Sequence, residues 1–256
     1  MDMALGVYGK ERALMREILG RRRKFQLRRG GRSALLGAAL QCATEWRWPV
    51  LPGVGLRSGG RTAKGAQPAA RGAQRTRPCG CPDPDCAVPG AHPFDPGLLA
   101  ATTDARMVRW WWTKRPDAPV VLATGGKAPC AVSLPAVAGA RALAELDRAG
   151  VAVGPVVATP TRWTLLVAPY SLPELGELLY AQDLVPSSLR FHGEGGYVVL
   201  PPSETGAGKV RWERPPATRA SAKRSGAPWL PDVATLVDAL VEASAGAPGG
   251  GSRLAY

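Results

Sequence analysis

Cys79, Cys81, Cys86 and His92 stand within one 14-residue stretch, CGCPDPDCAVPGAH. Two thiolates one residue apart, a third five further on and an imidazole six beyond that can close a tetrahedral shell around Zn²⁺. A closed Cys₃His shell leaves no position for a reacting water, so this spacing predicts a structural zinc site rather than a hydrolytic one. Gly80, Gly90 and five prolines between Pro78 and Pro93 suit a knuckle of tight turns, and coordination would supply the order that such a segment lacks. Asp83 and Asp85 are expected to shape the knuckle rather than bind metal. The remaining two cysteines, Cys42 and Cys130, read as small buried hydrophobes. Five cysteines, three of them in a metal pattern, argue for a reducing interior and against a disulfide framework.

The second chemical feature is cationic. The chain carries a net charge of +13. Residues 1–32 hold ten Lys/Arg against three Asp/Glu, centred on Arg21, Arg22, Arg23, Lys24, Arg28, Arg29 and Arg32. Arg57, Arg61, Lys64, Arg71, Arg75 and Arg77 form an acid-free second cluster, and Lys209, Arg211, Arg214, Arg219, Lys223 and Arg224 a third. A polyanion partner, DNA or RNA, accounts for this best, because each neutralised phosphate releases counterions. Arg190 and His192 are further candidate nucleic-acid contacts. Trp110, Trp111 and Trp112 could stack on bases, but on a helix they point three ways, and two are expected in the core. Gly125-Gly126-Lys127 falls short of a phosphate-binding loop.

These residues need a scaffold. Ser33 can cap a helix over about 34–45, and WPVLPG from Trp48 reads as a short buried strand. Thr103-Asp104 can cap a helix carrying Met107 to Trp112. PVVLA from Pro119 and the stretch Ala131 to Leu134 read as strands, and Pro135 to Ala149 as a helix. Val156 to Thr159 and Trp163 to Val167 form a hairpin around Pro160. Leu172 to Ala181 is a helix, Tyr197 to Leu200 and Val210 to Glu213 are strands, and Asp232 caps a last helix. Interleaved elements with hairpins predict an α+β fold, a mixed or antiparallel sheet with flanking helices. The expected organisation is a basic N-terminal extension (1–32), one domain over 33–230 that includes the knuckle at 78–93, and a C-terminal helix and tail (231–256). No apolar run is long enough to span a membrane, and no signal peptide is evident, so a cytoplasmic location is expected.

The ordered set WPVLPG, C-x-C-x4-C-x5-HP, the TD before Trp110–Trp112, the TG after PVVLA, the TPT at Thr159–Thr161 and GGYVVLPPS from Gly195 resembles the N-terminal domain of bifunctional DNA primase/polymerases. This is the Prim-Pol branch of the archaeo-eukaryotic primases, and the likeness is greatest to its short stand-alone actinobacterial members. It covers roughly Ser33 to Glu213. The resemblance implies a nucleotidyltransferase scaffold, with Mg²⁺ or Mn²⁺ if catalytic and replication proteins such as a separate helicase as partners.

The same resemblance implies residues that this chain lacks. Nucleotidyl transfer uses carboxylates that hold two divalent ions about 4 Å apart. The family places an acidic pair on the strand after the TG. Here that stretch reads APCAVSLPAVAG, with Cys130 and Ser133 roughly where acids would sit and no Asp or Glu between Asp117 and Glu145. The family's nucleotide-contacting His falls near Thr164 or Leu165. Its third acid falls in Ser187-Ser188-Leu189-Arg190, with Glu194 the only nearby carboxylate. The expectation is therefore a Prim-Pol-like protein that binds nucleic acid and has lost nucleotidyl transfer. An active enzyme with relocated carboxylates and a regulatory protein that uses the scaffold for protein contacts are the alternatives.

Overall fold

The computed structural model describes residues 30–57, 77–217 and 226–246. Arg21, Arg22, Arg23, Lys24, Arg28 and Arg29 lie outside these residues, as do Arg61, Lys64, Arg71, Arg75, Arg219, Lys223 and Arg224.

Helix α1 (residues 30–40) is already running where Ser33 was expected to start it, and it widens into a π turn at Gln41–Glu45. Ser33 is thus an internal helix residue. One residue earlier, Arg32 donates to both carboxylate oxygens of Asp117 at 2.9 and 2.8 Å. Strand β1 (Val50–Pro52) follows, then the knuckle segment. Helix α2 (Ala105–Lys114) begins as expected, because the Asp104 side chain accepts from the Arg106 amide. Strands β2 (Val120–Ala123) and β3 (Cys130–Pro135) lead into helix α3 (Ala136–Arg148). The hairpin β4 (Val156–Ala158) and β5 (Arg162–Val167) precedes α4 (Leu172–Tyr180), which Ser171 and Glu174 start with a reciprocal capping box.

The rest of the chain is β6 (Arg190–His192), β7 (Tyr197–Leu200), the small hairpin β8 (Glu204–Thr205) and β9 (Gly208–Lys209), and β10 (Arg211–Arg214). Asp232 caps only a 3₁₀ turn at Val233–Thr235, and helix α5 (Val237–Ala245) starts after it.

The architecture is α+β, and every strand pair is antiparallel. One sheet has the order β1-β2-β7 and a larger one the order β10-β4-β5-β3-β6. Strand alternation divides the larger sheet cleanly. Cys130, Val132, Leu134, Leu165 and Val167 point to α3 and α5 and form one core. Ala131, Val157 and Leu166 point the other way, into a second core shared with β1, β2, β7 and α2. Polar residues continue that second face beyond the core, and this is what builds a cleft between the two sheets.

Among the described residues, no helix is long and apolar enough to cross a membrane.

Leu166 is fully buried at the point where the two sheets meet. Leu166→Ala should lower the unfolding free energy by about 2–5 kcal/mol in urea titration. A loss below about 1 kcal/mol would mean that the two sheets do not share one packed interior.

Candidate functional site

The sequence keeps the knuckle close to the larger fold through backbone pairing. Gly55 and Leu56, which follow β1, bridge to Gly90 and Cys79. The Val54 amide donates to His92 O, and the Gly80 amide to Gly55 O. A Cβ on Gly80 would lie 2.9 Å from Val54 O, so only glycine allows this approach. Arg57 reaches the Cys81 carbonyl at 3.0 Å.

In this frame the four ligand atoms of Cys79, Cys81, Cys86 and His92 converge within 4.8 Å of one another. His92 Nε2 lies 3.4 Å from the Sγ atoms of both Cys79 and Cys86. A tetrahedral zinc with ordinary Zn–S and Zn–N bonds requires S···N separations of about 3.5 Å. His92 Nδ1 faces the Pro93 carbonyl at 2.9 Å, which fixes the tautomer that leaves Nε2 free to coordinate. Burial pushes the Cys79 thiol up, but hydrogen bonds from the Cys81 and Gly90 backbone, Cys81 and His92 outweigh it and bring it down to about 6. Three thiolates this close repel one another, so full deprotonation calls for a divalent counter-charge. The residues present fit Zn²⁺. Among the described residues this is the one such cluster of His, Cys, Asp or Glu side chains. Asp83 takes the shaping role expected of it, accepting from the Asp85 amide at 2.9 Å.

The knuckle also forms a wall. Ala87, Val88, Pro89 and Ala91 border a cleft of about 640 Å³ whose floor is the exposed part of the larger sheet. Register sets that floor. Arg190 on β6 pairs with Ser133 on β3, Ser133 with Thr164 on β5, and Thr164 with Val157 on β4. His192, two residues from Arg190, shares its face, and its Nε2 lies 3.0 Å from Ser133 Oγ. Arg162, two residues from Thr164, places Nη2 2.8 Å from both Ser133 O and Ser188 O. Burial, together with the charges of Arg162 and Arg190, lowers the His192 pKa to about 4, so the ring is neutral at pH 7. Burial also lowers the Arg162 pKa, and neighbouring Arg190 adds to the shift.

The predicted site residues separate here. Arg190 and His192 both line the cleft. Of the two residues matched to the acidic pair, Ser133 faces the cleft, but Cys130 does not. Cys130 is fully buried in the core under α3, and burial raises its pKa. With a two-residue repeat Ala131 shares the face of Ser133, but it is fully buried in the core between the sheets, and only Ser133 lines the cleft. The same alternation decides between Thr164 and Leu165: Thr164 lines the cleft, and Leu165 packs into the helix-side core. Sequence reasoning missed Arg162 altogether. Its signal was available, since Arg162 and Thr164 are alternate residues of one predicted hairpin.

Glu194 is exposed and outside the cleft lining. The Gly125 turn packs against Glu194: φ is +91° at Gly125, where a Cβ would come within 2.3 Å of Glu194 Cα. No carboxylate appears among the residues that line the cleft. Trp111 and Trp112 are core residues, while Trp110 stays 57% exposed on α2 beside Arg106, Arg109 and Lys114.

The motifs of the resemblance now have positions. The Thr124 hydroxyl donates to Gly193 O at 2.6 Å, and Ser203 Oγ, just beyond β7, accepts from the Val120 amide at 2.8 Å. Comparison with known protein families matches residues 39–228 to the bifunctional DNA primase/polymerase N-terminal domain, Prim-Pol. The chain belongs to the Prim-Pol family. No curated protein and no solved structure matches it.

In this Prim-Pol domain the Thr124–Gly193 hydrogen bond ties the end of β2 to the β6–β7 loop, and the Ser203–Val120 bond ties β7 to β2. At the positions facing the cleft it carries Ser133, Thr164, Arg162 and Arg190.

Purified protein should contain about one Zn²⁺ per chain by metal analysis. Cys81→Ser or Cys86→Ser should release it and increase protease cleavage within residues 57–95. Far less than one equivalent in protein never exposed to chelator would refute zinc at this cluster.

Proposed function

We propose that this protein is a non-catalytic Prim-Pol domain that binds nucleic acid and is held together in part by a structural zinc at Cys79, Cys81, Cys86 and His92. The observation that carries this reading is the lining of the cleft. A polymerase of this kind needs converging carboxylates to hold two divalent ions, one at the attacking oxygen and one at the leaving pyrophosphate. The cleft-facing strands here offer a hydroxyl on β3, a hydroxyl on β5 and a guanidinium on β6. The guanidinium attracts anions and repels Mg²⁺ or Mn²⁺, and two neutral hydroxyls cannot supply the negative charge that holds such ions. The relocated-carboxylate reading draws no support from Glu194, which is exposed and not among the described residues that line the cleft.

Nucleic-acid binding rests on charge distribution. The net charge of +13 is concentrated in clusters. On α2, Arg106, Arg109 and Lys114 surround the exposed Trp110, a combination suited to a phosphate backbone with a stacked base. The expected location is the cytoplasm, and replication proteins are the expected company. The zinc's part is structural: it fixes the wall that Ala87 to Ala91 present to the cleft.

Two-metal stabilisation contributes several kcal/mol to the transition state, so its loss lowers turnover by orders of magnitude. Primer extension and primer synthesis should stay at background with either Mg²⁺ or Mn²⁺. Ser133→Asp should not restore activity, because one carboxylate cannot hold two divalent ions and Thr164 and Arg190 still stand at the neighbouring cleft positions. Robust incorporation by the unmodified protein, abolished by Glu194→Gln, would make it an enzyme with relocated ligands.

Binding to DNA should fall steeply with salt and depend little on sequence. Neutralising Arg21, Arg22, Arg23 and Lys24 together should flatten the log–log salt slope by up to about four units, as read by fluorescence anisotropy. An unchanged slope would remove the N-terminal cluster from the interface. No binding by the parent protein at low salt would favour protein contacts instead.

A further inference from the structure

The cleft has more than a missing metal site. Its polar lining has a consistent sign. Arg162 and Arg190 lie close enough to depress the Arg162 pKa, and no lining carboxylate neutralises either. The guanidinium of Arg162 is held from one side only: its hydrogen bonds to Ser133 O, Ser133 Oγ and Ser188 O all come from Nη2. Nη1 and Nε make no hydrogen bond to another described residue. Arg190 is exposed and makes no ion pair with a described residue. Next to these cations are the hydroxyls of Ser133 and Thr164 and the neutral imidazole of His192. The rest of the lining is mostly apolar and includes Val88, Tyr197, Val199 and Val210. A cavity of about 640 Å³ with one cationic end and one apolar wall matches a small ligand that has an anionic end and a flat, weakly polar body.

We propose that this cleft binds the terminal phosphate of a nucleotide without a divalent ion, with Arg162 and Arg190 as the counter-charge and the nucleoside against the apolar wall beside Tyr197. The site thus inverts its electrostatic role. Where carboxylates would gather cations to hold a phosphate, guanidiniums hold the phosphate directly by charge-assisted hydrogen bonds. The proposal rests on the reading that nucleotidyl transfer has been lost. Two sources present this chemistry, a free nucleoside phosphate and the phosphorylated 5′ end of a strand.

Isothermal titration in buffer stripped of divalent ions, with the zinc-loaded full chain, distinguishes these sources. The probes are ATP, a 5′-phosphorylated oligo(dT) and the same oligonucleotide with a 5′ hydroxyl. ATP should bind, and added Mg²⁺ should leave its affinity unchanged or weaken it. If a strand end is the natural ligand, the 5′-phosphorylated oligonucleotide should bind at least about tenfold more tightly than its hydroxyl counterpart, whereas equal binding of the two alongside ATP binding assigns the site to the free nucleotide. Arg190→Glu, at an exposed position, should weaken the phosphate-dependent binding at least about tenfold with an unchanged melting temperature. Ser133→Asp should do the same by returning a carboxylate to the floor.

Binding of ATP only in the presence of Mg²⁺ would overturn the proposal. So would Arg190→Glu binding as well as the parent, or no phosphate-dependent binding of any probe. Such a failure is separable from failure of the functional reading, which primer extension and salt-dependent DNA binding decide on their own.

Discussion

A strand with one face committed to a core can offer only alternate residues to a cleft, and β3 obeys this without exception. It lies between β5 and β6 at the centre of the cleft floor, hydrogen-bonded on both sides. Cys130, Val132 and Leu134 are locked under α3 and α5, each fully buried. Ala131 and Ser133 are left for the other side. Neighbouring strands inherit the same division through register, so Thr164 and Arg190 arrive beside Ser133 by pairing alone. A one-residue slip would exchange every one of these residues with an apolar neighbour, at the cost of both cores. The composition of the cleft is therefore a direct consequence of which residues occupy alternate positions on three strands.

The knuckle depends on the same framework from the outside. Its turns have no periodic apolar pattern, and Cys79 and Cys81 are buried more by the backbone folded round them than by a core of their own. Two anchors hold it: the bridges to Gly55 and Leu56, and the convergence of its four ligands. The Gly206 amide also donates to Pro89 O at 2.7 Å, so the β8–β9 hairpin closes over the same edge. Coordination at one side of this segment therefore affects the cleft at the other, because Ala87 to Ala91 run from the Cys86 ligand directly into the cleft wall.

Much of this was legible in the sequence, for identifiable reasons. Asp104 as a cap, the β4–β5 hairpin, the extent of α3 and the Cys₃His spacing each follow from local rules, and local rules survive burial. The start of α1 was misread because Ser33 is a good cap residue in isolation; the helix already runs through Arg32, which pairs with Asp117 far along the chain. Strand β6 went unassigned because RFH is too short to show alternation, although it forms the edge of the floor. Cys130, expected with Ser133 roughly where acids would sit, lies in the core for a different reason. Counting from a motif locates a strand but not its facing, and the facing of β3 is set by α3 and α5, which pack on it from distant parts of the sequence.

The residues that join the strands and those that face the cleft are under different constraints. Thr124, Ser203 and the glycine turn at Gly125 hold β2, β7 and the β6–β7 loop together, through two hydroxyl-to-backbone hydrogen bonds and one close approach that a Cβ would block. At Ser133, Thr164 and Arg190 the requirement is electrostatic, and a neutral or cationic side chain fits the same pleat as well as a carboxylate. The guanidiniums of Arg162 and Arg190 both line this half-buried cleft, where burial first and the charge of Arg190 second lower the Arg162 pKa. An anion between them removes the repulsion, which makes a bound phosphate the arrangement that best stabilises the residues present.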